Sequence, residues 1–235
     1  MKLLIDAGNT NIKFAKFENH RCSELPQSSF MSLIKDADVI VIAKVKEYSL
    51  FIDVESKAKE YDVPVIFPKV EPISFGVTCG YKNVKHLGID RWLGVLAATI
   101  SYPNRPLIVV DSGTAMTIDF VLPNKTHIGG WITPGLTLMK NSIVERAPLV
   151  FVNNNIDDER IGTDTPSALL NGCLFSLVGT IDKAREEIRR QLSDNEKNNI
   201  LIVLTGGDRG KIARLLTCDY VENKFLIFEG LSLFS

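Results

Sequence analysis

The sequence has no Cys-x-x-Cys pair: Cys22, Cys79, Cys173 and Cys218 lie scattered over 235 residues. That spacing reads as a reduced chain and not as a disulfide scaffold. The three histidines, His20, His86 and His127, share no ligand spacing with one another or with the cysteines, which argues against a zinc site. No charge-poor apolar run reaches the ~18 residues needed to span a bilayer. The opening strand of apolar residues, Leu3 to Ile5, meets Asp6 too soon for a signal-peptide core. A cytoplasmic protein with no membrane partner is therefore expected. With 27 basic and 28 acidic residues the net charge is −1 and the pI about 6.3, so the basic excess of a generic nucleic-acid binder is missing. GxxxxGK[ST], GxGxxG and GxSxG are absent as well. Their absence excludes a P-loop, removes most of the case for a dinucleotide oxidoreductase, and leaves no esterase elbow.

What is present is an ordinary globular composition, 45% hydrophobic and 23% charged. At ~150 residues per domain the length allows one or two domains. An internal repeat decides for two. Leu3-Leu4-Ile5-Asp6-Ala7-Gly8 is an apolar strand running into Asp-x-Gly, and Ile108-Val109-Val110-Asp111-Ser112-Gly113 repeats it 105 positions later. Each copy is followed by alternation suited to a half-exposed second strand: Ile12 and Phe14, then Met116, Ile118 and Phe120. A third apolar strand, Ile200 to Leu204, runs into Thr205-Gly206-Gly207-Asp208 and a helix containing Ile212, Leu215 and Leu216.

Between these landmarks the pattern alternates strand and helix. Strands are predicted at 39–42 and 65–67, and helices at 50–61, 87–100, 136–144 and 168–192. Segment 129–135 is glycine-rich and is expected as a close backbone turn, with Trp131 in the core. Two prolines within 102–106 break the chain, dividing an N-terminal domain, 1–105, from a C-terminal domain, 106–235. Two α/β halves imply a cleft between them, where ligands usually sit.

Several residues are candidates for chemistry. Asp-x-Gly after a strand places a carboxylate at the strand end, and the glycine admits backbone N–H groups close to a phosphate. Asn9, Thr10 and Asn11 can donate to phosphate oxygens, Lys13 can reach a terminal phosphate, and Asp6 can hold Mg²⁺ directly or through water. One copy alone would read as a tight turn. Two copies together with the Thr205-Gly206-Gly207 turn favour nucleotide phosphates. Asp90 and Arg91 open a helix, where Asp90 can accept a hydroxyl proton and Arg91 can grip an anion as a fork. The competing reading is an acid in the first helical turn beside a surface arginine. Tyr81 reads either as a packing aromatic or as a ligand contact. Segment 162–167 reads as a helix N-cap with proline in the first turn.

DAGNTNIKF (6–14), GYKNVKHLGIDR (80–91), VVDSGTAMTIDF (109–120), GGWITPGL (129–136), GTDT (162–165) and TGGDRG (205–210) follow in that order over nearly the whole chain. Together they resemble type III pantothenate kinases, of the acetate and sugar kinase/Hsp70/actin superfamily. The resemblance implies an α/β fold of two duplicated ribonuclease-H-like domains, with mixed sheets flanked by helices and a nucleotide cleft between them. It implies phosphorylation of pantothenate by ATP with Mg²⁺, the first step of coenzyme A synthesis, in a homodimer. By matching positions, Asp6, Ala7, Gly8, Asn9, Thr10, Asn11, Ile12 and Lys13 form the first phosphate loop with Asp6 near the metal, and Thr114 is a second ATP contact. Asp90 is the catalytic base. Tyr81, Gly88, Ile89, Asp90, Arg91 and Thr165 bind the substrate, with Thr165 near the dimer interface. Asp111 holds a monovalent cation, K⁺ or NH₄⁺. Val84 departs from the family, which usually has proline there. The alternatives are another small-molecule kinase or phosphatase of the superfamily, or a non-catalytic regulatory relative.

Overall fold

Strand β1 (Lys2–Ala7) sends Leu3, Ile5 and Ala7 to one side and Leu4 to the other, and all four are buried. Burial on alternate residues to both sides is what a central strand covered on two faces requires. The computed structural model describes residues 1–8, 10–147, 149–153 and 160–235, which divide into two units. Met1–Pro103, Lys125–Ile128 and Phe225–Ser235 form the first; Asn104–Asn124 and Gly129–Lys224 form the second.

In the first unit β1 turns back antiparallel on β2 (Ile12–Glu18), which pairs antiparallel with β3 (Arg21–Leu25). Helix α1 (Gln27–Leu33) leads to β4 (Val39–Lys44), parallel to β1, and α2 (Leu50–Glu60) leads to β5 (Val65–Ile66), parallel to β4. The sheet order is β3-β2-β1-β4-β5. Phe30 of α1 and Phe51, Val54 and Ala58 of α2 cover one face, over Leu3, Ile5, Ile40 and Ile42. A small hairpin, β6 (Ile73–Ser74) and β7 (Val77–Thr78), precedes α3 (Ile89–Ser101), whose apolar stripe buries Trp92, Leu93 and Leu96. The run Leu50–Glu60 and the stripe of α3 fall where the 3.6-residue period places them.

The second unit repeats the plan. Strand β8 (Leu107–Ser112) pairs antiparallel with β9 (Ala115–Val121), and β10 (His127–Pro134) follows at the sheet edge. After α4 (Leu136–Arg146), α5 (Thr165–Arg189) and the short α6 (Asp194–Lys197), β11 (Leu201–Thr205) joins parallel to β8. Then α7 (Arg209–Ala213) leads to β12 (Tyr220–Glu222), parallel to β11. The order β10-β9-β8-β11-β12 matches the first sheet position for position. Helix α5 buries Cys173, Leu177, Ile181, Ala184 and Ile188 on this sheet, and its Lys183, Glu186 and Glu187 pair with one another and with Arg190, just past the helix, on the solvent side. The two mixed sheets, each flanked by helices, make the fold a duplicated α/β one.

Two expectations change. The 129–135 segment is not a turn, because β10 runs through Gly129 and Gly130 to Pro134. Gly129, at φ +119°, takes a backbone conformation open to glycine at a sheet edge, and Trp131 packs edge-on to Phe120 at 5.1 Å. A single cut at 105/106 also misses the last helix, α8 (Leu226–Ser232), which packs with the first unit. Ile227, Phe228 and Leu231 close the face formed by Leu4, Val39, Val41 and Leu93. Gly230 permits this, since a Cβ there would stand 2.3 Å from the Leu93 carbonyl oxygen. Lys2 Nζ donates to the carbonyls of Ser232 and Phe234 at 2.9 and 2.8 Å.

Candidate active site

In the first unit the β1–β2 register sets Asp6 opposite Lys13 at the mouth of the hairpin. Ala7 ends β1, Ile12 opens β2, and Gly8, Thr10 and Asn11 lie in the turn, where Gly8 N–H donates to the Asn11 carbonyl at 3.1 Å. Asn9 lies outside the described residues. Tyr48, which follows β4, donates its hydroxyl to the Gly8 carbonyl, and Val45 N–H donates to the Ala7 carbonyl at 3.2 Å. The loop is thus held from behind by the segment after β4, while Thr10, Asn11 and Lys13 are exposed. Burial pushes the Asp6 carboxyl up to about 6, against the pull of Lys13 and with the help of the Asp90 charge.

Asp90 stands in the first turn of α3. Gly88 is the residue before the helix, and a Cβ there would lie 2.5 Å from Asp90 Oδ1. Glycine therefore leaves room for the carboxylate to fold over the helix start, where Oδ1 accepts from Arg91 N–H at 2.8 Å. This hydrogen bond uses one of the two carboxylate oxygens. Arg91 is buried, contrary to the surface reading, and its Nη1 donates to the Tyr81 hydroxyl at 2.8 Å. Its guanidinium carbon stands 5.6 Å from the Tyr81 ring centre. Tyr81 is thereby tied to the arginine. Ile89, beside them, packs toward the α8 face, and Val84 opens a short 3₁₀ turn capped by Asn83.

The second hairpin is more tightly enclosed. Thr205 pairs in register with Asp111, so the Thr205-Gly206-Gly207 turn meets the Asp111-Ser112-Gly113 turn directly. Gly206 has φ +90°, and a Cβ on it would fall 2.3 Å from the Ser112 carbonyl oxygen and 2.5 Å from Asp111 Oδ1. From the end of β10, Gly135 donates to the Thr114 carbonyl at 3.0 Å and would place a Cβ 2.1 Å from the Gly113 oxygen. Asp208 N–H donates to the Ser112 carbonyl at 3.1 Å, and Arg209 returns a bond to the Gly206 carbonyl at 3.0 Å. Thr165 stands elsewhere in this unit, exposed at the first position of α5. There Asp164 caps the helix and Ser167 holds its carboxyl below the ordinary range by hydrogen bonds.

The donor sets can be tested against the ions the sequence motifs imply. Asp6 and Asp90 are close enough to repel, and a divalent cation neutralises that repulsion. Among the described residues no group of three or more His, Cys, Asp or Glu could hold a metal. Two carboxylates are a sparse oxygen set of the kind Mg²⁺ takes, since it keeps several waters and phosphate oxygens in its shell. Asp111 Oδ1 stands toward Gly206 and Gly113, while the Ser112 hydroxyl, next along β8 and so on the other face, is fully buried with no hydrogen-bond partner among the described residues. The Asp111 carboxylate is a hard oxygen donor of the kind a monovalent cation takes.

Sequence reasoning missed Tyr48 and His127, because both reach their partners only through the fold. Among the described residues no helix is long and apolar enough to cross a membrane.

Comparison with known proteins agrees with this geometry. The family model for type III pantothenate kinase matches residues 2–187. Type III pantothenate kinases from Pseudoalteromonas translucida (strain TAC 125) and Pseudoalteromonas atlantica (strain T6c / ATCC BAA-1087) are 32% and 33% identical. These matches cover 99% and 97% of this chain and 95% of each relative. A crystal structure from Campylobacter jejuni, described as a conserved Baf family transcriptional activator, aligns with TM-score 0.63 at 25% identity over 98% of this chain and 96% of that one. A Sinorhizobium meliloti structure described as a 2-dehydro-3-deoxygalactonokinase has the same fold, with TM-score 0.52 at 11% identity over 99% and 97%. On the matched model, the curated relatives and the two Asp-x-Gly hairpins, the chain belongs to the type III pantothenate kinase family.

Proposed function

We propose that the protein transfers the γ-phosphoryl group of ATP to the primary hydroxyl of pantothenate, the entry step of coenzyme A synthesis. The observation that carries this reading is the juxtaposition, in one unit, of the Asp6–Lys13 hairpin with Asp90 and Arg91. Phosphoryl transfer passes through a loose transition state, so positioning and charge neutralisation do most of the work. The turn amides and Lys13 bind the β- and γ-phosphates. Asp90 orients the attacking hydroxyl and accepts its proton late, as the new O–P bond forms and the bond to the ADP oxygen breaks. Arg91 and Tyr81 grip an anionic group, the substrate carboxylate or the transferring phosphoryl. Mg²⁺, held by Asp6 directly or through water, supplies positive charge against the phosphates when bound.

Thr114 contacts the nucleotide, the 205–210 turn takes its adenosine side, and Asp111 holds K⁺ or NH₄⁺. Thr165 completes the pantothenate site in a homodimer. The test is ADP release by the purified protein with ATP, Mg²⁺ and pantothenate, with and without K⁺ or NH₄⁺. Pantothenate-dependent ADP release that rises with the monovalent cation is expected. Release with a sugar or acetate in place of pantothenate would move the protein to another kinase of the superfamily. The description of the Campylobacter jejuni structure favours a regulatory reading. Salt-sensitive DNA binding without ATP turnover would establish it, and the net charge of −1 stands against it.

A further inference from the structure

His127 has no metal-ligand spacing and takes no part in the roles above, yet it is fully buried in the first unit. Its ring lies nearly parallel to that of Tyr81, with centroids 5.9 Å apart and 15° between planes, and the Trp92 ring meets it edgewise at 6.1 Å and 61°. Tyr81 accepts from Arg91, so the order of contact is Trp92, His127, Tyr81, Arg91. The backbone is built to hold this stack. Thr78 N–H donates to the Lys125 carbonyl at 3.0 Å and Thr78 bridges Thr126 in parallel. Gly80 approaches so closely that a Cβ would fall 2.1 Å from the His127 carbonyl oxygen. Only glycine permits that approach.

A tyrosine tied to an arginine by one hydrogen bond can still swing about its own side-chain bonds. A flat ring stacked on its face removes that freedom and fixes where the hydroxyl, and hence the guanidinium fork, points. We infer that His127 is a positioning residue: its ring locks Tyr81 so that Arg91 presents its fork to the acidic substrate. This rests on the pantothenate kinase reading. It extends that reading from the residues that grip the substrate to the one that aims them.

The full-length protein carrying His127→Leu, His127→Phe or Gly80→Ala tests it. His127→Leu keeps apolar volume without a flat ring, and Gly80→Ala pushes the two segments apart. Both should raise KM for pantothenate about tenfold, the loss of roughly one charge-assisted hydrogen bond, with KM for ATP within about twofold and kcat within about threefold of wild type. His127→Phe, which keeps the flat ring, should recover most of the loss. Arg91 should react with phenylglyoxal about tenfold faster in His127→Leu and Gly80→Ala, as local opening exposes it, but not in His127→Phe. Wild-type behaviour of His127→Leu, a His127→Phe no better than His127→Leu, or a parallel rise in KM for ATP would each overturn the inference. If the wild type does not turn over pantothenate, the kinase reading fails. The phenylglyoxal rates then decide the positioning role alone, with equal rates refuting it.

Discussion

The two Asp-x-Gly hairpins share a strand order and differ in what surrounds their turns. In the first unit four residues separate β1 from β2; in the second two separate β8 from β9. The strand-end carbonyl is met in the same way in both: Ala7 accepts from Val45 and Ser112 accepts from Asp208, each from the segment after the neighbouring parallel strand. In the first unit that segment brings side chains, with Tyr48 reaching the Gly8 carbonyl. In the second it brings bare backbone, with Gly206 against Ser112, and the end of β10 adds Gly135 against Gly113. A duplicated frame has thus been used twice. The first copy leaves a wider loop beside two carboxylates, and the second packs main chain on main chain around Asp111.

The comparison can be broken most sharply at the chemistry. Asp90→Asn keeps the geometry of the helix start but removes the carboxylate proposed as the base. Turnover should fall by about 10²–10⁴-fold, roughly 3–5 kcal/mol, with ATP binding and melting temperature retained. Undiminished turnover in the ADP-release assay would take the reactive role away from the first unit.

Next is the contrast between glycines. Gly206→Ala places a Cβ against backbone at a positive φ and should cost roughly 2–4 kcal/mol of stability. At Gly8 the nearest atom to a Cβ would be the Asn11 oxygen at an ordinary 3.5 Å, so Gly8→Ala should cost no more than about 1 kcal/mol. Urea denaturation of the two variants measures the difference, and equal losses would dissolve the contrast.

Asp6 offers a test with opposite signs for stability and function. Its carboxyl titrates near 6 in the fold against 3.8 ordinarily, so the folded chain binds that proton more tightly. This contribution favours the fold fully below pH 3.8 and is withdrawn as pH rises through about 6. Asp6→Asn should therefore be more stable than wild type by roughly 1–3 kcal/mol at pH 8 in EDTA, with the gap closing toward pH 4. It should also lose Mg²⁺-dependent turnover. Melting curves at the two pH values check the first outcome.

The smallest effect is at Tyr48. Tyr48→Phe removes the bond to the Gly8 carbonyl and should weaken ATP binding by about 0.5–1.5 kcal/mol, read as a rise in KM for ATP with KM for pantothenate unchanged.

Much of this was legible beforehand for a physical reason. Asp6 and Asp111 stand at the ends of apolar strands followed by period-2 alternation, a local pattern, and the two sheets follow from it. The stripe of α3 and the Asp164 cap of α5 are equally local. The strand through Gly129 and Gly130 was hidden because pairing with β9, not propensity, makes it a strand. The surface reading of Arg91 stayed open beside the anion-binding one because its partners, Tyr81 and through it His127, come from segments that no periodicity links to α3. The return of α8 to the first unit was invisible for the same reason: Ile227, Phe228 and Leu231 announce an apolar face without naming the sheet it covers.

That return has a consequence for synthesis. The first unit's sheet is laid down early, but Leu4, Val39, Val41 and Leu93 gain their cover from residues made after all of the second unit. A ribosome that has finished 1–103 has released a half with one face covered only in part, by α3, while the second unit holds every strand of its own sheet by residue 224. Vectorial folding would then complete the later unit first and seal the earlier one last, with residues 225–235 as the closing piece.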